Sequence, residues 1–342
     1  MKLRASPRRV LWTTICLCAV VFAIAVVSLA LGPVRLSIGE VWTSLVNPGR
    51  LSPESPAAVI VREARLPRVL LAGLVGLSLS IAGVAFQGLL RNPLADPYII
   101  GVSSGAAFGA SLVIVAGLGG LLYGLGVPIA GFVVALAVLS LVIAISRRGG
   151  KIPVETFLLA GVVVGSFMWA LVSGVIMLSD RSMHQVIFWL MGSFATAEMR
   201  SVLLVLPFAV VGFIGLAWMS RDLNALALGE EDAHHLGVNV EAAKKKMIGL
   251  GALVTAACVS FSGIIGFVGL VIPHICRLVF GPDARILIPT SALIGAAFLI
   301  LADTVARSAF GAIEVPVGLI TALVGAPFFC ILLMRRKRAV FR

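Results

Sequence analysis

Charge is what this sequence lacks. Only 12% of its 342 residues are Asp, Glu, Lys or Arg, about half the share of a soluble globular domain. No stretch is polar enough to form a soluble domain of useful size. Acids are scarcer than bases, 15 against 27, and almost none falls in the middle of an apolar run; Glu155 and Asp303 sit near run ends. A carrier driven by ion coupling needs ionisable groups at that depth, and here only His274 lies within a run. Nucleotide chemistry is missing too, since no GxxxxGK[ST] occurs, and so is HExxH. The five cysteines, Cys16, Cys18, Cys258, Cys276 and Cys330, lie in or beside apolar segments and form no CxxC pair. They read as small packing residues, with neither disulfide nor metal centre expected. An integral membrane enzyme would need a clustered catalytic set, for which only the charged run at 230–235 qualifies.

What is present is apolar sequence. Hydrophobic residues make up 60% of the chain and the mean hydropathy is +1.11. Apolar runs cover 10–32, 67–87, 98–118, 122–146, 154–178, 199–220, 286–306 and 316–334, each about the length that crosses a bilayer. The first follows MKLRASPRR and is longer than a usual signal-peptide core, so it is expected to remain as a first helix. The run 246–280 would be about 52 Å long as one helix, against a hydrocarbon core of about 30 Å. Its centre, FSGIIGFVG, carries Gly263, Gly266 and Gly269 as expected breakers.

Charge sets the crossing count. Lys244, Lys245 and Lys246 and the tail Arg335, Arg336, Lys337 and Arg338 both belong on the cytoplasmic side. Two runs separate them, so 246–280 must cross an even number of times and reads as two short helices. The expected fold is therefore all-α, a single polytopic membrane domain over 1–342 with ten transmembrane helices and both termini cytoplasmic. This topology accounts for the net charge of +12 without nucleic acid, because most basic residues fall inside. The outer exceptions are Arg35, Arg50, Arg62, Arg65, Arg68, Arg181, Arg200 and Arg307.

Two further patterns concern packing. Residues 182–192, within SDRSMHQVIFWLMGSFATAEMR, are expected to form an outer interfacial helix with Phe188 and Trp189 at headgroup level. Gly101, Gly105 and Gly109, and again Gly161 and Gly165, recur every fourth residue, the spacing that lets helix backbones approach closely in lipid.

Four motifs carry candidate function. The run GEEDAHHLGVNVEAAKKK, residues 229–246, is the most charged of the chain. It reads as a metal site, a solvated loop or a docking surface. Its histidines are adjacent and so cannot share a helix face, which argues against metal. Leu226, Leu228, Ala233 and Leu236 are apolar among charges, and Gly229 and Gly237 break the run. Two short helices joined by a glycine, within a cytoplasmic region at about 221–245, would present a knob to a soluble partner. On the outer side, Arg62, Arg65 and Arg68 are spaced by three, and Arg307 follows in ADTVARSAF. They read as snorkelling anchors or as partners for carboxylates of an external protein. The loop GLLRNPLADPYIIG, with two prolines, is a tight turn or an inner gate. Pro273 should kink its helix, and the adjacent His274 reads as a structural hydrogen-bonding group more readily than as a proton relay.

Taken together, GFVGLVIPHICRL, RLPRVLLAG, QGLLRNPLADPYIIGVSSGAAFG, LALGEEDAHHLGV, and LADTVAR followed by VPVGLITALVGAPFF resemble the FecCD-type permeases. These are membrane subunits of type II ABC importers for iron–siderophores, haem and cobalamin. The resemblance implies two permease copies, expected here as a homodimer, around one pathway in a bacterial or archaeal cytoplasmic (inner) membrane. It implies two ATP-binding cassette subunits below and a substrate-binding protein above. ATP and Mg would be used by the partner ATPase, with no cofactor bound by this chain. By resemblance, Leu226, Leu228, Gly229, Glu230, Glu231, Ala233, Leu236, Gly237 and Val238 match ATPase-coupling helices. Arg65, Arg68 and Arg307 match arginines that dock the binding protein; Arg62 lies outside the matched unit. Asn92, Pro93, Leu94 and Thr156 fall where gates are expected. An iron–siderophore is the first expectation for the substrate, with haem and cobalamin following.

Overall fold

The computed structural model describes residues 6–46, 55–179, 182–309 and 314–340. Arg50 and Arg181, assigned above to the outer side, lie outside the described residues. Among those described the chain is helical; the one extended pairing is an isolated bridge between Arg148 and Lys151.

Helix α1 is Pro7–Ala30, opened by Pro7 and by the Ser6 hydroxyl, which accepts from Arg9 N–H; proline at the first position removes an N–H that would have no partner. A short α2 is Ile38–Val46. Helix α3, Pro56–Leu89, runs 34 residues, about 51 Å, and its outer part, Ile60–Arg65, is wound as a π-helix. Then come α4 (Val102–Val115), α5 (Gly126–Ser146), α6 (Val154–Met177), α7 (Met183–Leu190) and α8 (Met199–Trp218). Two short helices follow, α9 (Ser220–Leu226) and α10 (Glu230–His235). The chain ends with α11 (Val240–Ser262), α12 (Val268–Phe280), α13 (Ala284–Ser308) and α14 (Val317–Val340).

Seven of these helices are long and apolar enough to cross a membrane; α4, α12 and the apolar part of α14 are shorter. Large apolar side chains stand exposed on several helices, such as Leu159, Val163 and Phe167 on α6 and Leu203, Ile214 and Trp218 on α8. So much exposed apolar surface fits lipid or a partner helix, and not water.

Helix α3 is the axis of the bundle. It is mostly buried and packs against α13, α11, α8 and α12. The crossings are close because they occur at glycine. A Cβ at Gly83 would sit 1.9 Å from the Gly269 carbonyl oxygen, and one at Gly76 would sit 2.2 Å from that of Gly295. A second core joins α4, α5 and α6, with Val102, Ala106, Val138, Phe157 and Val164 inside. The four-residue glycine ladder faces α5: a Cβ at Gly105 would meet Val138 at 2.8 Å, and one at Gly109 would meet the Ala130 carbonyl at 2.4 Å.

The run 246–280 does divide, but not into two short pieces. Helix α11 has 23 residues and begins at Val240, ahead of the lysines. The break covers 263–267. Gly263 terminates α11 at φ +68°, while Phe267, at φ +69°, makes the second turn that a glycine was expected to make. Gly269 is not a breaker. It lies inside α12, where its missing side chain admits Pro97 and the Leu79 carbonyl. The expected helix at 182–192 is α7, and its inner side abuts this break: a Cβ on Gly263 would meet the Trp189 carbonyl at 2.1 Å.

Candidate functional site

Two separate groups of residues stand out, one around α9 and α10 and one at the outer ends of α3 and α13.

In the charged run, Gly229 separates α9 from α10 with φ +148°, a conformation only glycine takes without strain. Helix α10 ends in a Schellman arrangement. Val238 N–H donates to the Ala233 carbonyl at 3.0 Å and Gly237, at φ +83°, donates to His234 at 2.9 Å. The apolar residues do not form one face. Leu226 and Ala233 are buried against the chain, whereas Leu228 and Leu236 are 67% and 65% exposed, beside the exposed Glu231 and half-buried Glu230 and Val238. The rings of His234 and His235 are 6.3 Å apart and tilted. Among the described residues no cluster of three His, Cys, Asp or Glu side chains could hold a metal.

Both short helices are tied to the bundle by side chains. The Asn224 amide donates to Asp283 at 2.8 Å and its oxygen accepts from Ala284 N–H at 2.8 Å, so α9 is joined to the first turn of α13. Lys244 parts from its neighbours Lys245 and Lys246, which are exposed. It is 2% exposed and pairs with Glu230 at 2.7 Å and Glu241 at 3.0 Å. It also donates to the Ile152 carbonyl at 3.3 Å, and Ile152 N–H donates to Glu241 at 3.0 Å. Burial pushes the Glu241 carboxyl up, but hydrogen bonds from Lys244 and Ile152 outweigh it and leave the group below its usual range.

The residues 92–96 form a compact turn. The Asn92 side chain accepts from Leu94 N–H at 2.9 Å, and its carbonyl accepts from Ala95 N–H at 3.1 Å; Asn92 is exposed, Pro93 and Leu94 half-buried. Thr156 is half-buried in the first turn of α6. The helical turn that follows, Pro97–Ile100, packs on α6 where a Cβ on Gly161 would lie 2.6 Å from the Ile99 carbonyl. The Tyr98 hydroxyl donates to the Ile265 carbonyl at 3.0 Å, fixing this turn to the break between α11 and α12. Pro273 is buried inside α12 and His274 half-buried. Gln87 bridges to the same helix, donating to the Leu270 carbonyl at 3.0 Å and accepting from Arg277 at 3.2 Å.

At the end of α3 away from α9 and α10, Arg65, Arg68 and Arg307 converge on a recess of about 530 Å³, lined also by Val34, Glu198 and Glu314. All three are largely engaged within the chain. Arg65 is 4% exposed and donates to the carbonyls of Leu29 at 2.7 Å and Ala30 at 3.0 Å, and to that of Val34. Arg68 holds Asp303 from Nε at 2.9 Å and Glu314 from Nη1 at 3.0 Å. Arg307 pairs with Asp303 at 3.6 Å and donates to the Ser28 hydroxyl at 2.8 Å. Asp303 is 1% exposed and Glu314 41%, so of the two carboxylates held by Arg68 a visitor would meet Glu314. Arg62 stands apart and donates to the Ser44 carbonyl at 2.6 Å, fastening α2 to the π-helix.

Sequence reading missed Lys244, Gln87 and Glu314. A lysine flanked at i−3 by Glu241 was a usable hint; the others depend on partners far along the chain.

This arrangement defines a polytopic helical membrane protein. The comparisons make the class specific. The sequence profile of the FecCD transport family matches residues 18–335, and the chain belongs to that family: it is a permease subunit of a type II ABC importer. The cobalamin import system permease protein BtuC of Halobacterium salinarum is 48% identical over 288 residues, covering 82% of this chain and 75% of that protein. The hemin transport system permease protein HmuU of Yersinia pestis is 38% identical and covers 98% of each chain. A solved structure described as an inward-facing conformation of a metal-chelate type ABC transporter matches with a TM-score of 0.84 at 34% identity, covering 94% of this chain and 99% of that one.

Proposed function

We propose that the chain forms half of the pathway through which a metal-bearing chelate is imported at the expense of ATP. It crosses the cytoplasmic (inner) membrane ten times, with seven long helices and three shorter ones and both termini inside. Two copies enclose the pathway. Two ATP-binding cassette subunits receive α9 and α10, and they bind the ATP and Mg; this chain binds no cofactor of its own. An extracytoplasmic binding protein delivers the chelate to the recess around Arg65, Arg68 and Arg307. Its carboxylates exchange with Glu314 for Arg68, a trade of one two-oxygen acceptor for another.

The observation that carries this reading is the form of α9 and α10. They are too short to be stable alone and expose Leu228 and Leu236 among charges, yet side chains secure them to α13 and α11. Such a surface suits a partner that pushes on it. Closure of the ATPase dimer would move α9 and α10, and the bundle would answer by alternating access. The turn at 92–96 and the start of α6, with Asn92, Pro93, Leu94 and Thr156, form the inner gate; Pro273 and His274 shape α12 beside it.

A corrinoid stands first among substrates, because the relative of 48% identity is named for cobalamin import. Haem stands second on the 38% identical relative. A ferric siderophore, first from sequence alone, is the third to be tried. The deciding experiment purifies the chain with its ATPase and binding-protein partners and measures ATP hydrolysis with cobalamin, haem or a ferric hydroxamate. Stimulation by one of them names the substrate; no assembly with an ATPase subunit would refute the reading.

A further inference from the structure

Lys244 is an unusual residue to bury. An ammonium withdrawn from water costs several kcal/mol unless its hydrogens are all matched, and an ammonium has three. Here each has a partner, and each partner belongs to a different part of the chain. Glu230 is the first residue of α10, Glu241 lies in the first turn of α11, and Ile152 precedes α6. The Ile152 peptide is held from both sides, because its N–H also donates to Glu241 at 3.0 Å. Ile152 is itself 2% exposed.

Ile152 follows a tight hairpin. Arg148 and Lys151 exchange backbone hydrogen bonds at 3.0 Å, and Gly149 and Gly150 take φ +55° and +82°, the signature of a two-residue turn that keeps its flanks in register. A grip on Ile152 is therefore a grip on the ends of both α5 and α6. Helix α10 has little else to hold it. It is six residues long and buries only Ala233, so Glu230 to Lys244 is its main side-chain tie to the bundle.

We propose that Lys244 is a positioning residue for transport, through which displacement of α10 is passed to the hairpin at 147–152 and so to the inner ends of α5 and α6. This rests on the permease reading above and adds the route by which the push travels. A rigid three-way clasp moves its members together; without it α10 would slide past the hairpin and the ATPase stroke would be lost. The link from Asn224 to Asp283 and Ala284 carries the same displacement separately to α13.

The test uses the complete importer in lipid vesicles, in a background with the five cysteines replaced. Spin labels at Arg148→Cys and Asp232→Cys, both exposed positions, report the distance between hairpin and α10 with and without ATP. Chelate imported per ATP hydrolysed is measured on the same preparations. In the parent the two labels should keep one narrow distance in both states. In Lys244→Met the distribution should broaden and chelate per ATP should fall at least about fivefold, the lower end of ordinary coupling between sites, while hydrolysis without chelate persists. Lys244→Arg, which keeps the charge, should recover part of the ratio. Glu241→Gln leaves the lysine in place and should broaden the distance to a smaller extent, and it decides the matter if Lys244→Met does not assemble. An unchanged distance and ratio in the variants would overturn the role of Lys244. A parent that neither assembles with the ATPase nor imports would instead refute the permease reading.

Discussion

Arg68 and Asp303 form a buried ion pair 235 positions apart, the Nε of the arginine lying 2.9 and 3.0 Å from the two carboxylate oxygens. Asp303 is 1% exposed, so removing the arginine leaves a buried charge whose remaining partner, Arg307, lies 3.6 Å away. Arg68→Ala is expected to cost about 3–5 kcal/mol, the usual price of breaking a buried pair from one side, read as a lower unfolding midpoint in detergent. The pair replaced as Arg68→Met with Asp303→Leu should regain only part of that stability, because Arg307, 3% exposed and 3.6 Å from Asp303, then loses its carboxylate. It should not regain docking of the binding protein, measured by titration, because Arg68 also faces the recess.

Arg65 presents a different case. Its guanidinium serves the carbonyls of Leu29, Ala30 and Val34 at the end of α1. Arg65→Ala removes the donor from the buried Leu29 carbonyl, at about 1–3 kcal/mol for such a group, while the Ala30 carbonyl keeps Leu36 N–H at 3.1 Å. Cleavage by protease near residues 30–36 should accelerate. If Arg65 contributed only charge to the recess, Arg65→Ala would weaken docking and leave cleavage unchanged.

The glycine crossings of α3 admit no side chain. Gly83→Ala would drive a methyl into the Gly269 carbonyl at 1.9 Å, and overpacking of this kind costs about 1–3 kcal/mol or more. Gly174, on α6, has nothing within 4 Å of the same position. Gly174→Ala should therefore give parental yields of monodisperse protein and Gly83→Ala should not.

Acid should open the Lys244 clasp. The Glu241 carboxyl is held below its ordinary value of 4.5, so the native state binds its proton less readily than the unfolded chain. Its contribution is present in full above that value and fades as the pH falls through the depressed one. The distance between labels at Arg148→Cys and Asp232→Cys should stay narrow at neutral pH and broaden only below about 4.5. In Glu241→Gln the part of the broadening owed to this carboxyl should disappear.

The crossing helices were legible because lipid demands contiguous apolar sequence, and Gly101, Gly105 and Gly109 announced a close contact by spacing alone. Gly229 and Gly237 marked the limits of α10 correctly, since glycine takes a positive φ without strain. The break at 263–267 was legible only in part, because Phe267 took a conformation that sequence assigns to glycine. The apolar pattern of Leu226, Leu228, Ala233 and Leu236 gave the helices but not the division into buried and exposed members, which depends on what α9 and α10 lie against. Arg62 and Arg65 were hardest to read. Their acceptors are largely backbone carbonyls, which every residue has and which therefore leave no trace in sequence. Lys244 looked like one of three interfacial lysines until the fold brought Glu230 and Ile152 to it.

The central claim is that this chain is a conduit worked by other proteins' ATP. The direct measurement is uptake of labelled chelate into vesicles containing the chain alone, or the chain with its ATPase subunits and binding protein. The expected result is concentrative uptake only in the complete assembly with ATP and Mg, and no ATP hydrolysis by the chain alone. Concentrative uptake by the chain alone, driven by an ion gradient, would contradict the account.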